Sequence, residues 1–375
     1  MSTISITKKP KQKITDRRIS FRGVLPNAVF LLWTIMTILP LVWMGYSSFK
    51  TNAELTRDQF ALPNILLNGG EHEFRVVEKS LNIRLPYDPE EDPRERIIIE
   101  STSIAPGRRL VIHHLVKEDL PPEIANMQPG DTLLANELPT GMHLGISWDL
   151  LWYNYSNAWE RGGMARKFLN SIIYTGVSTF LIILLSLMMG FSFAKLGFRK
   201  ISAILTAVIG LGYLISINSV IIPLFLMLSN IGLTDTHLGI ILVYTAFGLP
   251  VATLLASQFI RGIPDSLIES AYMDGATVWK MFLGIIVPMT APVIVTIGII
   301  SGFGIWNEFL LVLVLASSDA TTSLPVGVYS FSSLTSAQLG WQLAALVIAA
   351  LPVVVVYFIF NTRITRGVVA GAIKG

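Results

Sequence analysis

The chain has 375 residues, of which 52% are hydrophobic and only 14% are charged, and its mean hydropathy is +0.60. A composition this apolar excludes an ordinary soluble domain and indicates membrane-spanning segments. The net charge of +3 is too small to indicate nucleic-acid binding, and the absence of cysteine excludes disulfides and thiol chemistry.

Residues 1–24 form a basic segment, with seven Lys or Arg residues against Asp16 alone. Such a segment can bind nucleic acid or anionic lipid, but before an apolar run it is typically an orientation signal, so we predict a cytoplasmic tail. Residues 25–46 are the predicted first transmembrane helix (TM1). Their apolar run exceeds the ~7–15 residues of a signal-peptide core, which indicates an uncleaved anchor.

Residues 51–165 are hydrophilic and too long for a simple connector, so we predict an extracytoplasmic loop that contains an inserted domain. The domain is expected at about residues 66–148. Phe74–Leu85 and Arg96–Glu100 are rich in strand-forming residues, and Arg109–Val116 follows a Pro-Gly turn. These segments predict a small, mostly-β domain.

Residues 168–361 contain the predicted core from TM2 to TM6, and residues 362–375 form a second basic tail. In the third span we expect interruptions at Gly210 and Gly212 and a kink at Pro223, while Gly248 and Pro250 indicate close helix packing or a pathway lining in the fourth. Between the last two spans, Trp306–Gln342 is predicted to be an outer segment. The predicted spans are Phe168–Met189, Ile201–Leu228, Leu238–Gln258, Gly284–Ile305 and Leu343–Phe360.

Basic residues are concentrated in both tails and at positions 195–200, which predicts that both termini are cytoplasmic. Lys50, Arg166 and Lys167 lie at predicted outer ends of spans and count against this orientation. The opposite orientation would place both basic tails outside, so it fits less well.

A hydrophilic segment at residues 259–283 interrupts the apolar core. Pro264 and Asp265 favour a helix start, and Asp274-Gly275 predicts a turn after that helix. A helix and turn between two spans has no lipid to contact. We therefore expect this segment to dock on a partner in the aqueous phase.

The spacing within this region carries a family resemblance. Glu269-Ser270-Ala271, then Gly275, Ile285 and Val287-Pro288 resemble the EAA loop of ABC-importer permease subunits, with Ser270 and Val287 in place of the usual Ala and Leu. Asp274-Gly275-Ala276 and the final GAIKG sequence are similar to carbohydrate-uptake permeases. The whole chain resembles the second permease of the maltose type, and its long insertion resembles the alpha-glucoside subgroup.

The resemblance implies an all-α polytopic membrane protein with six transmembrane helices of the type I ABC importer permease fold, carrying the small mostly-β extracytoplasmic domain. The implied protein is not an enzyme but a permease that moves an alpha-glucoside or another oligosaccharide across the bacterial inner membrane by alternating access. Its implied partners are a second permease, two ATP-binding subunits, an extracytoplasmic solute-binding protein and membrane lipid. No cofactor is expected on this chain, because ATP and Mg²⁺ would bind the partner ATPase.

Two groups of residues are candidates for function. By the resemblance, the residues that couple the chain to the ATPase are Glu269, Ser270, Ala271, Asp274, Gly275, Ile285 and Pro288. The spans hold almost no ionisable residues, so a substrate path should use uncharged polar and aromatic groups, or else these groups only join helices or lie in interfacial belts. The candidates for the path are Tyr213, Asn218, Ser219, Tyr244, Trp306 and Asn307.

Other functions fit the sequence less well. A phosphate-binding loop of the G-x-x-x-x-G-K-[ST] kind is absent. His113 and His114 are adjacent in a predicted strand and would point to opposite faces, so we predict no metal site. A secondary carrier would need internal repeats, and an anchored sensor or assembly protein would leave the EAA-like loop unexplained.

Overall fold

The computed structural model describes residues 21–63, 73–78, 91–101, 112–196, 199–332 and 338–372. The described part is mostly helical, with a small sheet and single turns of 3₁₀ helix at Lys117–Asp119 and Ala135–Glu137. The helices are α1 (Phe21–Ser47), α2 (Asn52–Arg57), α3 (Pro122–Ala125), α4 (Thr140–Arg161), α5 (Met164–Lys195), α6 (Arg199–Tyr213), α7 (Ile217–Asn230), α8 (His237–Arg261), α9 (Asp265–Met273), α10 (Val278–Met281), α11 (Val287–Met289), α12 (Ala291–Asn307), α13 (Leu310–Leu315), α14 (Leu324–Tyr329) and α15 (Leu339–Ala372).

Four described helices are long and apolar enough to cross a membrane: Pro26–Ser47 within α1, all of α5, all of α8, and Leu339–Phe360 within α15. Two bent helix pairs reach that length only together, α6 with α7 and the α10–α11 segment with α12. The described part of the chain therefore has four spans by this measure, or up to six if each bent pair crosses once.

The first bent pair turns by 99° between Tyr213 and Ile217. We expected a kink at Pro223, but Pro223 lies inside α7 and the large bend comes earlier. The break follows Gly210 and Gly212, which weaken the end of α6 because glycine is a poor helix former. The expected interruption at the glycines thus describes the break better than the expected proline kink.

The second bent pair turns by 75° at Thr290, within the region where we predicted one continuous span over Gly284–Ile305. Before the bend, α10 continues through a π-helical turn at Phe282–Ile286 into α11. Pro288 and Pro292 lack the N–H groups that would continue the helical hydrogen bonds, and the Thr290 hydroxyl donates to the Ile286 carbonyl at 2.8 Å. The segment predicted as the fifth span therefore contains a bend that the sequence reasoning did not predict.

α5 packs most extensively against α8, and two glycines permit the close approach. A Cβ at Gly190 would lie 2.9 Å from the Ser257 nitrogen, and a Cβ at Gly248 would lie 2.3 Å from Cδ1 of Ile182. Small residues let helix backbones approach closely, which favours association where lipid gives no hydrophobic drive. Gly248 therefore has the packing role that its sequence position indicated.

Asp235 joins the turn between α7 and α8 to the segment between α13 and α14. Its backbone is left-handed, at φ +55°, and its Oδ1 accepts hydrogen bonds from the N–H groups of Ser317 and Ser318 and the hydroxyls of Ser318 and Thr321. The bond from the Thr321 side chain, followed by those from Ser318, holds the pKa of Asp235 below its ordinary value of 3.8. This carboxylate closes the end of the bundle that lies opposite α9.

The small sheet has four antiparallel strands in the order β3-β2-β1-β4, namely β1 (Glu73–Val77), β2 (Arg96–Ser101), β3 (Ile112–Val116) and β4 (Thr132–Leu134). One face packs on a core that includes Phe74, Ile99 and Leu133. The sequence indicated the first three strands but not β4. The predicted ends at Leu85 and at the Pro106-Gly107 turn lie outside the described residues.

The helix α4 was also not predicted, although its sequence carries a helical signal. Trp148, Trp152 and Tyr155 have the i, i+4, i+7 spacing of one helix face, and their rings contact in series at centroid distances of 5.7 and 5.3 Å.

Two of the three basic residues that counted against the orientation are buried. The Lys50 ammonium donates to the carbonyls of Asp58 and Gln59, and the Lys167 ammonium donates to the Gly162 carbonyl at 2.8 Å. Both lysines therefore stabilise chain turns, which gives them a structural reason to lie where they do.

Candidate coupling surface and substrate path

The helix α9 is fixed at its start by Lys195, the last residue of α5. The Lys195 ammonium donates to the Ile263 carbonyl at 2.6 Å and to Oδ1 of Asp265 at 2.5 Å, and the Lys195 side chain is only 4% exposed. Asp265 also lies in the first turn of α9, where a negative charge is favoured by the helix dipole. From the sequence, Lys195 was interpreted only as part of a basic cytoplasmic turn. Its contacts with Ile263 and Asp265, which lie 68 and 70 positions later in the chain, were not predicted.

The end of α9 is a Schellman turn, in which two hydrogen bonds close around a left-handed residue. The Ala276 N–H donates to the Ala271 carbonyl at 2.9 Å, and the Gly275 N–H donates to the Tyr272 carbonyl at 3.0 Å. Gly275 takes a φ of +74°, which glycine adopts without the strain imposed by a Cβ atom. Thr277 then accepts a bond from the Lys280 N–H and starts α10. The predicted helix and turn are both present.

The helix α9, the turn at Gly275 and the helix α10 together form a helical hairpin. One face of this hairpin is buried and the other is not. Ile268, Ala271 and Ala276 pack against an interior cluster that includes Phe282 and Ile286. Elsewhere on the hairpin, large apolar groups remain exposed: Met273 is 84% exposed, Tyr272 73% and Trp279 60%, and Leu267, Val278 and Leu283 are exposed as well. We call these six residues the apolar docking face. An apolar patch of this kind on an aqueous segment is typical of a protein interaction site.

The predicted coupling residues fall on different sides of the hairpin. Glu269 and Ser270 are exposed, whereas Ala271 is half-buried and packs inward. The Asp274 N–H caps α9, Gly275 forms the turn, and Ile285 lies half-buried in the π-helical turn before the exposed Pro288.

A cavity of about 310 Å³ lies between α8 and α12. Each helix contributes one stripe with the spacing i, i+3, i+4, i+7, i+8, i+11, so the walls face each other over roughly 16 Å. The α8 stripe is Tyr244, Phe247, Gly248, Val251, Ala252 and Leu255. The α12 stripe, with the residue that follows the helix, is Ile297, Ile300, Ser301, Gly304, Ile305 and Glu308.

Only two of the six candidate path residues, Tyr213 and Tyr244, line this cavity. Trp306 instead donates to the Ala349 carbonyl at 3.1 Å and packs edge-on against Phe168, so it joins helices. The Asn307 side chain donates to the Phe303 carbonyl on its own helix, at 2.9 Å. Asn218 and Ser219 lie exposed in the first turn of α7, outside this cavity.

Glu308 is the cavity residue that sequence reasoning missed. It follows α12 directly, is half-buried, and accepts hydrogen bonds from the Tyr244 hydroxyl at Oε2 and from the Leu311 N–H at Oε1, both at 2.9 Å. It lies within the predicted outer segment Trp306–Gln342, which held no expected path role beyond its first two residues. A glutamate inside a run from Ile297 to Leu315 that has no other charged residue was the available signal.

Residues 158–369, more than half of the chain, match the family model for the binding-protein-dependent transport system inner membrane component. The chain therefore belongs to this family of permeases.

Among its relatives is the trehalose transport system permease protein SugB of Mycobacterium tuberculosis, which is 34% identical over 59% of this chain and 81% of that protein. The melibiose/raffinose/stachyose import permease protein MelC of Bacillus subtilis is 31% identical over 60% of this chain and 82% of that protein. The diacetylchitobiose uptake system permease protein NgcG of Streptomyces coelicolor is 33% identical over 59% of this chain and 74% of that protein.

A solved structure supports the fold. A chain of a bacterial ABC transporter involved in the import of the acidic polysaccharide alginate superposes with a TM-score of 0.60, at 15% sequence identity, over 94% of this chain and 99% of that chain. The family resemblance that the EAA-like spacing carried is confirmed by the family model and the relatives.

Proposed function

We propose that the chain is the membrane-spanning permease subunit of an ATP-driven importer of carbohydrate, with an alpha-glucoside or a similar oligosaccharide as its substrate. Relatives named for trehalose, melibiose and diacetylchitobiose transport support a sugar substrate. The observation that carries the coupling role is the apolar docking face, which is exposed on a hairpin whose opposite side is firmly packed.

The docking face fits a cleft on a separate ATP-binding subunit, which would hold the ATP and Mg²⁺. Burying exposed side chains of the size of Tyr272, Met273 and Trp279 is favourable by about 1.5–3 kcal/mol each. Glu269, exposed beside this face, is placed to accept a charge-assisted hydrogen bond from a basic residue of that subunit. The Lys195 contact holds the start of α9 to α5, and the Schellman turn joins α9 to α10, so that movement of the ATPase is transmitted to the spans.

The chain would cross the membrane six times, with each bent pair counted as one span, and both basic tails would then lie in the cytoplasm. Residues 26–46 of α1 include no buried residue, so this stretch offers an apolar surface to lipid and to a second permease subunit. Residues 66–148, with the sheet, would lie outside, where a solute-binding protein delivers the sugar.

The test is uptake by proteoliposomes that hold this chain with the permease, ATPase and solute-binding protein encoded beside it. Labelled maltose, trehalose and melibiose are offered with ATP, without ATP, and with an ion gradient alone. The proposal expects uptake of at least one sugar that requires both ATP and the binding protein. Uptake driven by the ion gradient without ATP would overturn it in favour of a secondary carrier.

A further inference from the structure

The cavity between α8 and α12 has one polar end. Tyr244 and Glu308 lie at the same end of the two stripes, and that end is the one far from α9, because α8 runs toward α9 and α12 runs away from the hairpin. Tyr244 is seven residues after His237, the first residue of α8, so its Cα lies roughly 10 Å along the helix axis from the start of α8. The rest of both stripes is apolar or glycine, apart from Ser301.

Placing the Glu308 carboxylate in this cavity costs more free energy than its structural role requires. It stabilises the start of α13 by accepting from the Leu311 N–H, and it receives the Tyr244 hydroxyl proton. A neutral oxygen acceptor would cap a helix equally well, without the cost of placing a charge among apolar groups. Ionisable residues inside membrane-spanning bundles commonly mark substrate pathways.

The carboxylate also keeps acceptor capacity. Each carboxylate oxygen offers about two lone-pair sites, and the described contacts of Glu308 use one on each oxygen. The remaining sites accept hydrogens and donate none. A ligand that fits this end of the cavity must therefore supply O–H or N–H donors.

Three aromatic rings line the same cavity as the carboxylate. Tyr244 and Phe247 belong to the α8 stripe, and Tyr213 closes the cavity from the end of α6 with 59% of its surface exposed. Flat aromatic faces with a nearby acceptor suit a neutral ring that bears hydroxyl groups, whose C–H faces pack on the rings while an O–H donates to the acceptor.

We propose that Glu308 is a substrate-contacting residue that accepts a hydrogen bond from a sugar hydroxyl as the sugar enters the α8–α12 cavity, with Tyr213, Tyr244 and Phe247 as the packing surface. This inference rests on the proposed function. It adds a specific acceptor, a location at the end of the cavity far from the coupling hairpin, and a preference for neutral hydroxyl donors over carboxylated sugars, which the Glu308 charge repels.

The test compares wild type with Glu308→Gln in the proteoliposome assay, using the sugar that wild type takes up and the set of its monodeoxy analogues. Gln keeps an acceptor for the Leu311 N–H but removes the charge. Glu160→Gln, the same change on the exposed side of α4, is the matched control. Uptake is normalised to assembled complex, and ATP hydrolysis is measured in parallel.

We expect Glu308→Gln to lower uptake of the parent sugar about three- to tenfold, as when a charge-assisted hydrogen bond becomes a neutral one, with ATP hydrolysis within about twofold of wild type. Wild type should take up one deoxy analogue poorly, and the Glu308→Gln substitution should not lower the uptake of that analogue any further. The control should behave as wild type for every analogue.

Equal losses for all analogues in both proteins would overturn the inference and leave Glu308 as a helix cap. If the Gln variant fails to assemble, Glu308→Asp withdraws the carboxylate by one methylene and should weaken the same discrimination. Discrimination unchanged in the Asp variant would also overturn it. If wild type takes up none of the sugars with ATP, it is the proposed function that fails, whatever the variants do.

Discussion

The turn after α9 gives the sharpest test of the coupling hairpin, because Gly275→Ala changes the backbone energy and little else. A Cβ at Gly275 would meet no atom within 4 Å, so the substitution introduces no clash. It does force a residue with a Cβ to adopt a φ of +74°. That conformation costs an L-residue about 1–2 kcal/mol, enough to lower the population of the observed turn about 5- to 30-fold against competing geometries.

Gly45 provides a matched control, because a Cβ there would also meet no atom within 4 Å, whereas its backbone lies inside the helix α1. Gly45→Ala should stabilise the protein by about 0.5–1 kcal/mol, since alanine is the better helix former. Gly275→Asn should be milder than Gly275→Ala, because asparagine adopts the left-handed region more readily.

The assay is the number of sugar molecules transported per ATP hydrolysed, with the melting temperature of the purified complex alongside. We expect the transport ratio to fall from wild type through Gly275→Asn to Gly275→Ala, and we expect Gly275→Asp to insert normally but to uncouple hydrolysis from uptake. The reasoning is refuted if Gly275→Ala keeps the wild-type ratio and raises the melting temperature as Gly45→Ala does.

Three further predictions concern single charges. Glu269→Lys should leave the protein inserted but abolish sugar-dependent ATP hydrolysis, because it replaces a proposed acceptor with a positive charge; Glu160→Lys, on exposed α4, should not. Lys195→Met should lower stability by about 1.5–3 kcal/mol in thermal melts, since it removes a shielded charged donor, whereas exposed Lys200→Met should change it by less than about 0.5 kcal/mol. Asp235→Asn should destabilise the protein by an amount that is constant at neutral pH and vanishes in acid.

The sign of the pH effect follows from the direction of the pKa shift. Bonds to the ionised carboxylate lower the folded pKa of Asp235, so its contribution is fully present above the ordinary value of 3.8 and is lost as the pH falls through the lower folded pKa. Asparagine tolerates the left-handed backbone at this position, so the difference reports the charge. A wild-type advantage in melting temperature that grows on acidification would contradict this account.

The coupling hairpin was readable from sequence because its signals are local. A proline and an acidic residue in the first turn and an Asp-Gly step after one short helix each act within a few residues. The bend at Thr290 was missed because Pro288 and Pro292 lie inside a continuous apolar run, and apolarity alone indicates a span without showing its direction. The family itself was indicated by spacing, and the comparisons confirm it.

Contacts between distant residues explain most of what remained unpredicted. Glu308 acquires its meaning from Tyr244, 64 positions earlier, and Lys195 acquires its own from the start of α9. The strand β4 is only three residues long and is defined by pairing with β1, far back in the chain. Trp306 lies on the side of α12 away from the α8–α12 cavity, against Phe168 and Ala349, where it lines a different cavity.

The two functional regions are joined by the chain itself. The α8 wall of the cavity continues through Gly262 and Ile263 into α9, and the second half of the hairpin continues through the π-helical turn and the Thr290 bend into the α12 wall. Each wall therefore ends in one half of the same hairpin. A partner that displaces the hairpin must move both walls, and the 75° bend allows α12 to move differently from α8. A loosened turn at Gly275 would separate the two halves, which is why we expect it to reduce transport per ATP more than it reduces overall stability.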